Sequence, residues 1–206
     1  MSLQVQILAF DGVEALDFAG PFEVFTTASR VHVRRHPGEP PLFEVKSVAA
    51  CDVVLARAGL RLLPDWSLDE APPADVLVVP GGVVDAALAS PDTLRWIGSQ
   101  ARQARITASV CTGAFVLAAS GVLQGKARVT THWEDVAELR EKFPQLDVVD
   151  DVRWVDGGSI VTSAGISAGI DMSLHLVERL AGRDLALRTA RQMDFAWTTH
   201  PTSPSA

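Results

Sequence analysis

One stretch of this chain passes from a strand pattern to a helix pattern with almost no loop between them. Residues 106–110 form a short apolar and β-branched run, which ends abruptly in Cys111. Thr112 and Gly113 then open a second apolar segment with helical spacing. A run of this kind is typical of a buried parallel strand, so Cys111 is predicted to lie on a sharp strand-to-helix turn.

The same order of strand and helix recurs along the chain. Strands are predicted at 5–10, 43–48, 75–79, 106–110, 128–130, 148–149, 153–155 and 159–163, with a short hairpin around Gly59. Helices are predicted near 21–29, 91–105, 112–120, 133–143, 167–180 and 184–195, with Pro21 near the start of the first and Asp184 capping the last. This alternation predicts an α/β fold with a mostly parallel sheet. Residues 1–197 are expected to form one domain, and the Pro-, Ser- and Thr-rich residues 198–206 a flexible tail.

Composition restricts the function classes. The chain has 206 residues and a net charge of −7, which argues against nucleic acid or an anionic membrane as the main partner. Its two cysteines cannot form a disulfide framework, and no paired Cys and His metal pattern appears, so neither a metal nor a cofactor is expected. No apolar run reaches membrane-spanning length and no signal-peptide pattern is present, which predicts a cytoplasmic location.

Cys111 is the candidate nucleophile. At the first turn of a helix, unpaired backbone N–H groups and the helix dipole favour a thiolate over a thiol. Such placement can lower a cysteine pKa from about 8.5 into the range ~3.5–7.5. The alternative is a buried and inert cysteine, which is the common case. Cys51 has no strand-to-helix context, so we interpret it as inert.

Two further segments, 11–17 and 80–83, end predicted strands on the side where ligands bind in parallel sheets. Gly81 and Gly82 form a turn without side chains, so a backbone N–H there and that of Thr112 are expected to form a two-donor oxyanion site. Asp17 lies between apolar neighbours after the first strand, so it is expected to stay protonated, to hydrogen-bond the sulfur and to shuttle a proton. The alternatives are an ordinary turn for the glycines and a helix N-cap for Asp17.

His132 follows the strand at 128–130 and leaves two interpretations open. It could orient the thiolate or act as a base, because histidine titrates in the useful range. The alternative, which we favour, is a residue at a helix N-terminus that packs on Trp133. A peptidase or amidase with a Cys-His dyad would be expected to carry a histidine directly after the nucleophile. Thr112 occupies that position, which weakens the peptidase interpretation.

Four segments of the chain together resemble the ThiJ/PfpI superfamily. They are residues 79–82 (VPGG), 109–113 (SVCTG), 121–126 (GVLQGK) with 130–133 (TTHW), and 164–171 (AGISAGID). The resemblance covers residues 5–193 and implies a three-layer, flavodoxin-like sandwich of the class I glutamine amidotransferase-like type. Within the superfamily the chain is most similar to the isocyanide hydratases and to the sensor domains of AraC-type regulators.

The resemblance implies a function for the residues singled out above. Isocyanide hydratases add water to an isonitrile and release an N-formamide, and their cysteine, aspartate and threonine fall on Cys111, Asp17 and Thr112. It also implies a homodimer that acts on a small molecule. Two other functions stay open: a ligand-sensing domain without a DNA-binding module, and a cysteine redox sensor or glyoxal-detoxifying protein.

Overall fold

The computed structural model describes residues 1–201. Its strands are β1 (Leu3–Leu8), β2 (Phe43–Ala49), β3 (Val54–Leu55), β4 (Arg61–Leu62), β5 (Trp66–Ser67), β6 (Val76–Val79), β7 (Ile106–Val110), β8 (Arg128–Val129), β9 (Asp147–Val148), β10 (Trp154–Asp156) and β11 (Ile160–Ser163). Seven of these strands form one sheet in the order β10-β11-β7-β6-β1-β2-β5. All neighbours in it are parallel except β10 and β11, as the apolar runs predict.

Helices cover the sheet in two groups. They are α1 (Ala15–Arg35), α2 (Asp85–Leu88), α3 (Pro91–Ala101), α4 (Gly113–Ala119), α5 (Val136–Lys142), α6 (Ala168–Ala181) and α7 (Arg183–Gln192), with a 3₁₀ turn at Trp133–Asp135. Helices α1, α6 and α7 pack on one another, and α2, α3 and α4 form the second group. The fold is therefore the α/β sandwich that the sequence predicts.

The core strands are buried on both faces. Every residue of β6 and β7 is buried, because helices lie against both sides of the sheet there. The expected hairpin is present as well: β3 and β4 pair antiparallel, and Gly59 between them has a φ of +87°. The sheet order places β1, β6 and β7 side by side, so their carboxyl ends meet at one edge.

Two predicted helix boundaries are wrong. Helix α1 begins at Ala15 and runs to Arg35, so Pro21 lies inside it and not near its start. Burial of Asp17 and Phe18 in the first turn fixes the helix there, and this packing outweighs the missing N–H of the proline. Helix α7 is capped by Gly182. Asp184 lies in its first turn, where its negative charge interacts favourably with the helix dipole.

The C-terminal segment is attached to the body of the protein where the structure describes it. The Thr198 N–H donates to Asp171 Oδ1 at 2.8 Å, and the Arg153 N–H donates to the carbonyl of Pro201 at 2.6 Å. Residues 202–206 lie outside the described residues, so the flexibility expected for 198–206 stays a prediction. No helix within residues 1–201 has both the length and the apolar character needed to cross a membrane.

Candidate active site

Two loops close over the carboxyl edge of the sheet and form the floor of a pocket. Val13, after β1, forms a β-bridge with Gly82, after β6. The Glu14 N–H donates to the carbonyl of Gly81 at 2.8 Å, and the Val83 N–H donates to that of Gly12 at 2.9 Å. These bonds join the segment that carries Asp17 to the glycine turn, as expected for neighbouring strand ends.

The turn after β6 requires glycine at both positions. A Cβ atom on Gly81 would lie 2.6 Å from both the N and Oγ1 atoms of Thr112, closer than real Cβ contacts allow. Gly82 has a φ of +131°, and a Cβ there would lie 2.3 Å from the carbonyl oxygen of Gly12. The absence of side chains thus lets three backbone segments meet beside Cys111.

Cys111 sits on the predicted strand-to-helix turn in a strained backbone conformation. Its φ is +54°, a region that residues other than glycine seldom adopt and that often marks functional sites. Two hydrogen bonds to neighbouring segments hold Cys111 in this conformation. Its N–H donates to the carbonyl of Ser163 at 3.1 Å, and the Thr131 hydroxyl donates to its carbonyl at 2.9 Å. The residue is 7% exposed, and it lines the pocket described below.

The thiol of Cys111 is not activated by its surroundings in the way that the turn predicts. Burial and the nearby charge of Asp17 raise the pKa of Cys111 to about 12, although the Thr112 N–H, which donates to the sulfur, opposes the rise. The expected lowering of the pKa is therefore wrong. Helix α4 has only seven residues, and the penalty for burying a charge outweighs the effect of its dipole and its first N–H groups.

Asp17 is fully buried beside Cys111. Burial raises the pKa of Asp17 to about 7, against the opposing effects of the Gly81 N–H, which donates to Oδ2 at 3.1 Å, and of the Cys111 thiol. The other carboxyl oxygen, Oδ1, is enclosed and has no nitrogen or oxygen partner within residues 1–201. Protonation of Asp17 removes the cost of burying its charge, which is the main cause of the raised pKa.

Asp17 and Cys111 therefore behave as a coupled acid pair. The Asp17 carboxylate makes ionisation of Cys111 harder, whereas the Cys111 thiol stabilises that carboxylate by a hydrogen bond. The pair therefore holds one proton over the interval between its two pKa values. Within that interval the proton can reside on the carboxyl group while the sulfur is a thiolate, or on the sulfur while the carboxylate is ionised. An arrangement of this kind supplies a nucleophile and an acid from the same two side chains.

The two-donor oxyanion site expected at the glycine turn is not preformed. The Gly81 N–H is used by Asp17, and the Gly82 N–H donates to Thr112 Oγ1 at 2.9 Å. The Thr112 hydroxyl in turn donates to the carbonyl of Gly82 at 2.9 Å. These residues hold the glycine turn against the cysteine turn, and the Thr112 N–H is the donor that faces the sulfur.

The pocket above Cys111 has a volume of about 280 Å³ and a polar, largely acidic wall. Sequence reasoning missed several of its residues, because they come from loops whose meeting depends on the fold. The lining residues that were not predicted are Glu14, Arg57, Val83, Glu134, Asp135 and Ile166. Glu14, Val83, Glu134 and Asp135 had a usable signal, since each lies within three residues of a predicted site residue.

His132 lines this pocket and also packs on Trp133, so both interpretations of it describe part of its position. Its ring centroid lies 5.7 Å from that of Trp133, and Nδ1 lies 3.3 Å from Asp135 Oδ2. The ring lies directly against Gly165, where a Cβ atom would come within 2.0 Å of His132 Cδ2. The contact with Asp135 orients the imidazole at the mouth of the pocket.

Known proteins that are similar to this chain include an enzyme and a transcriptional regulator. An isonitrile hydratase from Pseudomonas putida is 39% identical over 197 residues, which cover 95% of this chain and 80% of that protein. The HTH-type transcriptional regulator CdhR from Pseudomonas aeruginosa is 31% identical over 192 residues. Those residues make up 93% of this chain but 55% of the regulator, so the chain spans about half of that relative.

The fold and the sequence agree on the family. A crystal structure of a ThiJ/PfpI family protein from Pseudomonas syringae superposes with a TM-score of 0.81 at 26% identity, over 96% of this chain and 77% of that one. The model of the DJ-1/PfpI family matches residues 3–179. This match covers most of the chain and includes β1, β6, β7 and the Asp17–Cys111 pair, and the chain therefore belongs to the DJ-1/PfpI family.

Proposed function

We propose that this protein is a cysteine-dependent hydratase that converts isonitriles to N-formamides. The observation that carries the proposal is the buried pair of Cys111 and Asp17, in which burial raises the pKa of the carboxyl group to about 7. The likeness to the isonitrile hydratase over 95% of the chain supports the substrate class. Hydration of an isonitrile needs a nucleophile for the terminal carbon and a proton for the same carbon, and the pair can provide both.

In the first step the Cys111 thiolate attacks the terminal carbon of the isonitrile. A bond forms between sulfur and carbon, and the proton held by Asp17 passes to that carbon. The product is a thioimidate on Cys111, in which the carbon–nitrogen triple bond has become a double bond. Asp17 is left as a carboxylate, ready to act as a base.

In the second step a water molecule attacks the thioimidate carbon. The Asp17 carboxylate takes one proton from the water and passes it to the substrate nitrogen as the tetrahedral species forms. That species collapses to the carbonyl of the N-formamide: its hydroxyl proton passes to Asp17, and the carbon–sulfur bond breaks to return Cys111 as a thiolate. The water supplies one oxygen and two hydrogens to the product, so neither an oxidant nor a cofactor takes part.

The charges of the pocket favour a neutral substrate. Glu14, Glu134 and Asp135 face it against the single arginine of the lining, Arg57, which lies 3.7 Å from Glu14. An anionic substrate would be repelled by this wall, whereas an isonitrile carries no net charge. The Thr112 N–H supports the thiolate by donating to the sulfur.

The test is formation of an N-formamide from tert-butyl isonitrile by purified protein, followed by proton NMR. We expect turnover by the wild-type protein and by Cys51→Ser, whose exposed thiol lies outside the pocket. Cys111→Ala should abolish it. Turnover that persists in Cys111→Ala would contradict the mechanism, and binding of the isonitrile without turnover would contradict the activity.

A ligand-sensing role is the second candidate, because CdhR aligns with 93% of this chain. Tight binding with no reaction across a panel of isonitriles, amides and aldehydes would favour it. Selective oxidation of Cys111 fits the structure less well, since its thiol is buried whereas that of Cys51 is exposed. The homodimer stays a prediction, which light scattering on the purified protein would test.

A further inference from the structure

Three possible metal ligands meet at the end of α1 that is far from Cys111. His32 lies in the last turn of the helix, His36 caps it, and Glu39 follows in the loop. One ligand atom from each of the three lies within 4.8 Å of the other two. His32 Nε2 and Glu39 Oε2 are 3.0 Å apart, and the two imidazole centroids are 4.6 Å apart.

The backbone brings these side chains together. Residues four apart on a helix lie on the same face, which places His36 beside His32. The chain then turns back, with the Glu39 N–H donating to the carbonyl of His36 at 3.1 Å. Ligands of a tetrahedral metal ion with bonds near 2.0–2.1 Å lie about 3.4 Å from one another. Small rotations of the exposed His36 and Glu39 side chains are enough to reach that spacing.

A hydrogen bond already orients His36 as a ligand. Its Nδ1 lies 3.2 Å from the carbonyl oxygen of His32. A carbonyl oxygen only accepts, so Nδ1 carries the proton in the neutral ring and Nε2 keeps its lone pair for a metal. Metal-bound histidines commonly have this arrangement, in which the second ring nitrogen donates to a backbone carbonyl.

The dipole of helix α1 favours a cation at this end, although Arg34 and Arg35 in the same turn add positive charge. Helix α1 has 21 residues, and its C-terminal carbonyl groups carry the negative end of the helix dipole. The carboxylate of Glu39 adds a full negative charge beside the two imidazoles. His32 is largely enclosed, with 11% of its side chain exposed, so it provides a fixed ligand to which the two exposed ones can close.

We propose that His32, His36 and Glu39 bind a divalent transition metal ion, with Zn²⁺, Ni²⁺ and Cu²⁺ as the ions of suitable chemistry. Two imidazoles and one carboxylate suit these ions, whereas Mg²⁺ and Ca²⁺ prefer sites made of oxygen ligands. Three protein ligands leave a position for water or for a group from another molecule. These residues do not match a paired Cys and His pattern, because they include no cysteine, and no metal was therefore expected from the sequence.

The site is independent of the proposed hydratase activity. His32 follows Asp17 by fifteen residues of one helix, a separation of about 22 Å along the helix axis. A bound ion there would tie the loop after α1 to the helix end without contact with the reacting groups. Loss of metal binding and loss of turnover would therefore be separate results.

The test is calorimetric titration of Zn²⁺ into full-length, tag-free protein that has been treated with EDTA. The Cys51→Ser background removes the exposed thiol, which could bind zinc by itself. We expect one Zn²⁺ to bind per chain and a millimolar excess of Mg²⁺ not to compete. His36→Ala and Glu39→Gln should each weaken binding at least about tenfold, the smallest loss usually seen even when an outer-shell partner is removed.

His200→Ala is the matched control, because His200 is also exposed but lies outside the cluster. It should bind Zn²⁺ as the parent does. Circular dichroism without metal should show that His36→Ala, at an exposed helix end, is folded. The proposal is overturned if the parent binds no Zn²⁺, or if His36→Ala and Glu39→Gln bind as tightly as the parent; the residues would then form an ordinary ion pair.

Discussion

Two buried aspartates occupy equivalent positions in two helices that pack against each other. Asp17 lies in the first turn of α1, and Asp171 lies in the first turn of α6. Both residues are 0% exposed. In both, the cost of burying a charge is the main cause that raises the pKa of the carboxyl group. The two sites differ in what surrounds the carboxyl group.

Asp171 is surrounded by groups that stabilise its charge. Arg153 Nε donates to Oδ2 at 2.5 Å, and the Thr198 N–H donates to Oδ1 at 2.8 Å. Asp17 has weaker support, from the Gly81 N–H and the Cys111 thiol, and the nearby charge of Glu14 adds to the rise of its pKa. One aspartate thus holds the C-terminal segment in place, while the other has an unsatisfied oxygen beside a thiol.

The difference separates a structural charge from a reactive one at equal burial. Removing one partner of a buried charge pair is costly, because the other charge is left without compensation. An unmatched carboxyl group lowers stability when it is ionised, but a proton can leave or return to it near pH 7. The groups that contact each carboxyl group, more than its burial, therefore determine its role.

The largest expected effect is on catalysis. Asp17→Asn should reduce kcat/KM for tert-butyl isonitrile by about 10²–10⁴-fold, because the amide can neither donate the proton to carbon nor accept one from water. Asp171→Asn should stay within about threefold of wild type, since the two sites share no partner. Initial rates of N-formamide formation measure both. Equal losses in the two variants would mean that Asp17 is structural as well.

The next effect is on stability, where the substitution of Asp171 should be the harmful one. Asp171→Asn should lower the free energy of unfolding by about 3 kcal/mol, because it leaves the Arg153 guanidinium without its counter-charge. We expect the lower part of the usual range since 21% of the Arg153 side chain is exposed. Urea unfolding at pH 7 measures the loss.

Addition of Arg153→Met to Asp171→Asn provides the control for that measurement. The double variant should recover part of the stability, since no unpaired charge is left buried. If the double variant is less stable than Asp171→Asn by the full cost of a second core substitution, the charge pair is not the cause of the loss.

The position of the reactive cysteine could be predicted from the sequence because it depends on local pattern. The run 106–110 and the glycine after Thr112 are adjacent in the chain, and the strand-to-helix turn follows from them. The buried strands and the hairpin at Gly59 have equally local signals. The start of α1 has no such local signal, because contacts of Asp17 and Phe18 within the folded core determine it.

The properties of the site could not be predicted in the same way. The pKa of Cys111 depends on burial and on Asp17, which lies 94 positions earlier in the chain. The glycine N–H groups were expected to face a ligand, but Asp17 and Thr112 use them once the loops meet. Such partners are chosen by tertiary structure, so the sequence predicts which residues meet but not which donors remain available.

A further effect concerns how the contribution of Asp17 to the stability of the protein depends on pH. The carboxyl pKa is about 7 in the folded protein against an ordinary value of 3.8, so the folded state binds more protons between those values. Stability therefore falls as the pH rises from about 4 to 7. Between pH 4 and pH 8, the stability of Asp17→Asn relative to wild type should increase by about 4 kcal/mol. Urea unfolding across this range measures it, and a difference that does not change with pH would contradict the raised pKa.

The smallest expected effect is on the thiol. Asp17→Asn removes the nearby carboxylate charge, so the pKa of Cys111 should fall by roughly one pH unit. It should stay above its ordinary value, because burial is the larger cause and is unchanged. Thiolate absorbance at 240 nm in the Cys51→Ser background measures the titration, and Asp171→Asn should leave it unaltered. An unchanged thiol pKa in Asp17→Asn would show that burial alone controls the sulfur, and the two aspartates would then differ only in their partners and not in their influence on Cys111.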